Sequence, residues 1–419
     1  MAGHIPTNTS IQSTGEMNTK FAFMAMTTLF FIWGFITALN DILIPHLKAA
    51  FSLNYTEAML VQFCFFGAYF IVSPFAGKLI NKVGYQKGII IGLITIALGC
   101  VTFYPAAEVE VYSIFLLGLF ILASGVTILQ VSANPYVAVL GEEKTAASRL
   151  NLAQAINSLG HTLGPMFGAF LIFGGTTAVI TASSVQLPYL IIAAVMLIVA
   201  CVFFWIKLPV IKEVEKPVDT ESTSDSVFKH PSLLFGTLAI FLYVGAEVSI
   251  GSFLVNFFAE NHIGGLSEKE ASKMVSYYWG AAMVGRFIGA ALMRFIAPSL
   301  LLAINSIFAI ALITLTVQSD GQVAMWSIIA VGLFNSIMFP TIFTLAIKGL
   351  GPLTGTGSGL LCQAIVGGAI LPMFQGVVAD MYSVQVSFIV PAFAYIYIAW
   401  FALKGSKKTD FANAQEAKA

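Results

Sequence analysis

Charge is what this sequence lacks most. Asp, Glu, Lys and Arg make up 10% of its 419 residues, against about 25% in soluble globular chains. Hydrophobic residues make up 58%, and the mean hydropathy is +0.89. So little charge cannot clothe a water-facing surface, which excludes a soluble globular domain and places the chain in a bilayer. Cysteine is scarce too. Cys64, Cys100, Cys201 and Cys362 are scattered through apolar segments, which speaks against a disulfide framework and for small buried hydrophobes. The 5 histidines show no metal-ligand spacing. Neither HExxH nor GxSxG occurs, so no metal, no cofactor and no enzyme activity is expected. The 20 basic and 20 acidic residues cancel, and no basic face for nucleic acid is visible. The polar N-terminus lacks an apolar core with a cleavage site and reads as a retained tail rather than a signal peptide.

What is present is long apolar runs. A helix needs about 20 apolar residues to cross the hydrocarbon. Twelve candidates occur, at 21–47, 57–80, 87–106, 111–140, 147–174, 187–208, 232–260, 271–296, 298–318, 322–349, 355–381 and 384–404. With both termini cytoplasmic, the inner loops and ends hold 17 of the 20 Lys and Arg, Arg286 and Arg294 among them. Only Lys48, Lys269 and Lys273 fall outside. One miscounted span would invert every later loop, so the bias supports twelve spans. The organisation expected is a tail (1–20), a six-helix half (21–208), a polar linker (209–231), a second six-helix half (232–404) and a tail (405–419).

The halves echo each other at an offset of six spans. "QAINSLGHTLGPMF" at 154–167 is matched by "QAIVGGAILPMF" at 363–374. "FGAYF" in span two has a weaker counterpart in "WGAAM" of span eight, and spans four and ten carry Pro135 and Pro340. The fold class expected is therefore an all-α membrane protein with two pseudo-symmetric six-helix halves and a site between them near the midplane.

Polar residues inside such spans are costly and face a cavity or a partner. Two carboxylates lie well within spans, Asp41 and Glu247, while Asp380 sits at a span end. Trp33, Thr37 and Asp41 follow i, i+4, i+8 on one helix face, with Asn40 beside them. Asp41 is either part of a cavity wall or an outer-interface residue. Glu247 carries either a coupling or substrate role or a structural hydrogen bond. Thr127, Gln130 and Asn134 form one stripe in span four, and Gln154, Asn157 and His161 form another in span five. Amides donate and accept, as sugar hydroxyls do. They also serve as glue between membrane helices. In the second half, Tyr277, Tyr278, Asn305, Asn335 and Gln363 are further lining candidates. The layout alone admits a sugar importer or an exporter of drugs or metabolites.

"LNDILIPHLKAAF", "SANPYVAVLG", "RLNLAQAINSLG" and "PTIFTLAIKGLG" resemble the fucose–galactose–glucose:cation symporters of the major facilitator superfamily. "LQVSANPYV" and "YVGAEVSIGSFLVN" are similar to the glucose/galactose branch, related members of which carry N-acetylglucosamine. The resemblance implies a monomeric hexose importer in the bacterial inner membrane, driven by H⁺ or Na⁺. It implies that Asp41, in "LND", is essential, and that Gln154 and Asn157 contact sugar. Two positions depart from the family's fucose permease. Gln130 stands where that permease has a titrating glutamate, and Glu247 stands where it has a glutamine. The resemblance thus places cation coupling on Asp41 and Glu247, one carboxylate having moved to the second half. The loop "AGKLINKVGYQKG" resembles the superfamily's loop motif, with Asn81 where an acid is usual.

Overall fold

The structure, a computed structural model, describes residues 19–51, 55–173, 185–209 and 227–407. Residues 210–226 of the expected linker and both extreme tails lie outside the described residues. The first half comprises α1 (Thr19–Ala50), α2 (Tyr55–Val83), α3 (Tyr85–Glu108), α4 (Tyr112–Val139), α5 (Ala146–Phe173) and α6 (Gln186–Trp205). The second comprises α7 (Pro231–Ala259), α8 (Glu268–Leu292) and α9 (Pro298–Gln318), then three broken spans. These are α10 (Gly321–Asn335) with α11 (Met338–Ile347), α12 (Thr354–Gln363) with α13 (Gly367–Met381), and α14 (Val384–Ser387) with α15 (Ile389–Leu403).

Ten stretches of the described residues are long and apolar enough to cross a membrane. α5 and α8 are long enough but too polar, and the reason is position. They pack against each other across the two halves, which sets polar residues such as Ser158 and Arg286 against protein instead of lipid. Large apolar side chains such as Phe63, Phe75, Trp205 and Met373 are exposed on the outside, as a lipid-facing surface requires.

Within the first half α1 packs on α5, α3 on α4 and α6, and α2 on α4. Within the second, α7 packs on α11, α13 and α15, and α9 on α10 and α15. Between halves the pairings are α2 with α12 and α5 with α8. Adding six spans to the pair two–eleven gives eight–five, so the seam obeys the pseudo-two-fold that the repeats foretell. Gly84, at φ 86, makes the turn that reverses the chain between α2 and α3.

Local chemistry fixes the helix ends. Ser267 and Glu270 form a capping box at the start of α8, the Ser267 N–H donating to Glu270 Oε2 at 3.1 Å. Pro298 opens α9 at its first turn. Arg149 closes α4 from the start of α5. Its Nη2 donates to the Ala138 carbonyl at 2.6 Å, its Nε to Val137 at 3.2 Å and its Nη1 to Glu142 at 2.8 Å. A helix C-terminus leaves such carbonyls without partners, and one guanidinium answers two of them, Val137 and Ala138, along with the Glu142 carbonyl of the loop that follows.

The end of the bundle that holds the start of α1 also holds Lys78 and Lys82, near the end of α2, and Lys144, Lys348 and Lys404. We call it the basic end. Here the halves are joined. Asn81 Nδ2 donates to Thr356 Oγ1 at 2.7 Å, Ser148 Oγ to the Ala290 carbonyl at 2.5 Å, and Lys348 pairs with Glu143 at 2.9 Å. Asn81, an amide where the loop motif usually has an acid, thus still ties α2 to α12. Along this seam α2 and α12 meet backbone to backbone. A Cβ on Gly359 would lie 2.7 Å from the Ser73 carbonyl, and one on Gly77 would lie 2.8 Å from that of Gly355, a small-residue packing typical of membrane helices.

Candidate functional site

Proline positions build the site. A proline at i has no N–H for the carbonyl at i−4. Pro340 therefore frees the Ser336 carbonyl, at the break between α10 and α11, and that oxygen accepts from Arg286 Nε at 3.1 Å. Pro135 frees Val131, whose carbonyl accepts from Ser358 Oγ at 3.0 Å. Pro74 frees Phe70, whose carbonyl accepts from Gln363 Nε2 at 3.1 Å. The last two bonds cross from one half to the other.

Arg286 corrects one reading of the sequence. It is not an inner-end cation. Its guanidinium stands in the middle of the bundle, 14% exposed, with Nη2 3.5 Å from Glu247 Oε1. Nη1 donates to Ser158 Oγ, on α5 of the other half. Glu247, 16% exposed, also accepts from Tyr243 OH at 2.8 Å, one turn earlier on α7. The mid-span acid of span seven therefore has a cation and a phenol as partners. A buried pair of this kind needs good geometry and extra hydrogen bonds to offset desolvation. Ser336, Ser158 and Tyr243 supply them.

Trp33, Gln130, Gln154, Val244, Glu247, Arg286, Phe339, Pro340 and Ile365 surround a cavity of about 160 Å³. One wall belongs to the first half and carries an indole and two amides. The opposite wall belongs to the second half and carries the charge pair. Gln130 Nε2 donates to Tyr69 OH, a residue of "FGAYF" that the stripe reading did not single out. Its amide oxygen has no bond to that phenol and keeps its acceptor capacity.

The other expected residues sit around this core. Asn134 is fully buried behind Gln154, its Oδ1 accepting from Gln154 Nε2 at 3.4 Å. Asn157 Nδ2 donates to the Phe30 carbonyl of α1 at 2.8 Å. That contact follows from Gly34, where a Cβ would collide with the Asn157 carbonyl. Thr37 Oγ1 and His161 Nδ1 stand 3.2 Å apart, one to two turns beyond the cavity from the basic end. Gln363 is on the α2 seam. Asn40 and Asp41 belong to α1, and their side chains lie outside the described residues. Of the second-half candidates, Asn335 donates to Tyr278 OH at 2.6 Å within a fully buried cluster that includes Tyr395. Tyr277 is exposed and packs near Trp326.

Comparison with known proteins places this geometry. The sequence profile of the Major Facilitator Superfamily matches residues 21–362. A glucose/galactose transporter of Brucella abortus is 53% identical over 412 residues, covering 97% of this chain and 100% of the relative. The L-fucose-proton symporter of Escherichia coli is 35% identical over 403 residues, covering 91% and 92%. The crystal structure of a transporter of this superfamily, FucP, in the outward conformation superposes with a TM-score of 0.86 at 33% identity, covering 93% of this chain and 100% of that one. The fold is thus shared with a known carrier, and this chain belongs to the major facilitator superfamily, in the group that holds the glucose/galactose transporters and the fucose:proton symporters.

Proposed function

We propose that this protein imports a hexose, of the glucose/galactose or N-acetylglucosamine class, by cation-coupled symport across the bacterial inner membrane. It works as a monomer with both termini and the basic end in the cytoplasm, and it alternates access to a central site. The observation that carries this reading is the cavity between the halves, where the Gln130 and Gln154 amides face the Glu247–Arg286 pair. Amides and a guanidinium offer the mixture of donors and acceptors that a polyhydroxylated ring requires. Trp33 adds an apolar face with an N–H at its edge. The names of the relatives point to the same substrate class. The joined basic end is the state in which the site is reached from outside.

In this reading the coupling cation, H⁺ or Na⁺, is carried by the carboxylates Asp41 and Glu247. Gln130 cannot titrate. Neutralising Glu247 weakens its hold on Arg286 and leaves that guanidinium to Ser158 of the other half, which links cation binding to the contact between halves. The test is sugar uptake into proteoliposomes with ΔpH and ΔNa⁺ imposed separately. Glu247→Gln is expected to lose ion-driven accumulation, and Gln130→Ala to keep most of it. Full accumulation by Glu247→Gln together with none by Gln130→Ala would place the coupling in span four instead.

The two amides of α5 separate in a second measurement. Gln154 faces the cavity and holds only the long 3.4 Å bond to Asn134 behind it, so Gln154→Ala is expected to weaken sugar binding by about 0.5–1.5 kcal/mol, roughly two- to twelve-fold, with a smaller fall in melting temperature than the loss of Asn157 brings. Asn157 already spends one donor on α1, so Asn157→Ala is expected to lower the melting temperature as well. Identical affinities in wild type and both variants would make both amides helix glue.

A further inference from the structure

We propose that Asn151 is the release residue of the closed basic end, an amide that makes this closure easy to undo. The inference rests on the carrier reading above, in which that end opens once per cycle. Asn151 lies on α5 and is fully buried at the seam between the halves. Its Nδ2 donates to the Ala147 carbonyl of its own helix at 2.9 Å and to Thr341 Oγ1 of α11 at 3.2 Å. The same nitrogen stands 3.3 Å from Met293 Sδ, at the end of α8. Its Oδ1 is buried and accepts no hydrogen bond from any described residue.

Two hydrogens thus face three acceptors, while the oxygen faces no donor. The Thr341 hydroxyl does not supply one, because its single proton goes to the Ile337 carbonyl at 2.6 Å. Turning the amide over would set its oxygen against the Ala147 carbonyl. Across the seam Asn151 gains one neutral bond and a weak contact with sulfur. It gives up the hydration of a carbonyl oxygen, and a buried polar group left unmet costs more than an ordinary hydrogen bond returns.

The surroundings are apolar. Ala147, Met293, Leu301 and Ile337 form a buried cluster of their own, which joins α5 to the second half. Asn151 is one turn from Ala147 and touches Met293, so a hydrocarbon here would extend that cluster along the seam. The repeat that aligns Gln154 with Gln363 aligns Asn151 with Leu360. The seam of α2 with α12 therefore carries a hydrocarbon at the equivalent place. Leucine has the branching of asparagine and no polar atom. The amide holds the closed state below the stability that packing alone would give it, and its oxygen regains water when the halves part. Such differential satisfaction shifts the population toward the open end.

The experiment uses full-length protein carrying Asn151→Leu or the smaller Asn151→Val. Deuterium uptake over 146–152 and 286–294 reads how often the basic end opens and needs no sugar, with α3 as the reference. Circular dichroism verifies the fold. At least one apolar variant is expected to take up deuterium about ten-fold more slowly in these segments, with α3 unchanged, and to unfold at a higher midpoint. Sugar counterflow in proteoliposomes is expected to slow by a similar factor. An amide that merely glues the helices predicts the opposite sign. Uptake at the wild-type rate or faster, or loss of the fold, in both variants overturns the proposal. A wild type that opens at this end but moves no sugar would sink the carrier reading instead, and the comparison of deuterium uptake would still stand.

Discussion

Removing the Arg286 guanidinium is expected to cost this protein more stability than any other single substitution in the central cavity. Arg286→Ala leaves Glu247 in the bundle with Tyr243 as its one remaining partner among the described residues, and breaking a buried ion pair from one side costs about 3–5 kcal/mol. It also removes the donor from the Ser336 carbonyl that Pro340 frees and from Ser158 across the seam. The folded yield and thermal midpoint should fall sharply. Arg286→Ala combined with Glu247→Gln should regain most of the midpoint, because no uncompensated charge is left, but not ion-driven accumulation. The check is a double-mutant cycle on unfolding free energies, in which paired residues show coupling of about 0.5–3 kcal/mol. A cycle with zero coupling would mean that the 3.5 Å approach carries no energy.

Asp41→Asn is expected to abolish concentrative uptake altogether while exchange of labelled for unlabelled sugar survives. Asparagine keeps the shape and the hydrogen-bonding oxygen and cannot ionise. A carrier that has lost its cation step can still equilibrate sugar, but it cannot accumulate it. Accumulation ratios and counterflow measured in the same proteoliposomes separate the two activities. A wild-type accumulation ratio in the variant would put Asp41 at the outer interface and leave Glu247 as the coupling acid.

The twelve spans were readable in the sequence because lipid imposes a length and an apolarity that runs of Phe, Leu and Ile report directly. The repeat was readable because Gln154 and Gln363, or Pro135 and Pro340, recur at equivalent places. The partner of Glu247 was not. Arg286 lies eight residues before Arg294, the last charge of span eight, and loop-charge counting treats the two alike. What separates them is the face of α8, which carries Tyr278 and Ala282 to the interior along with Arg286. An isolated acid in mid-span was the signal that a cation should be sought. The amide stripe of α5 shows a second limit. Gln154 and Asn157 share a stripe, yet the close approach of α1 at Gly34 turns one to the cavity and the other toward a backbone carbonyl. Periodicity names a face but not the neighbour that covers part of it.

The carbonyls of Phe70 and Val131, released by Pro74 and Pro135 and answered by Gln363 and Ser358 of the opposite half, bear on how easily the carrier turns over. When the halves part, these four groups enter a water-filled vestibule, where solvent replaces each lost protein bond at nearly the same enthalpy. The glycine contacts beside them are backbone against backbone, with no large side chains interlocked at those points to resist separation. A seam of interlocked leucines would add about 1.5–3 kcal/mol per side chain and trap the carrier on one side. Moving a two-state population from 1:99 to 99:1 takes about 5.5 kcal/mol of differential binding. A seam whose bonds are exchangeable with water keeps the two populations within reach of what one sugar and one cation can supply.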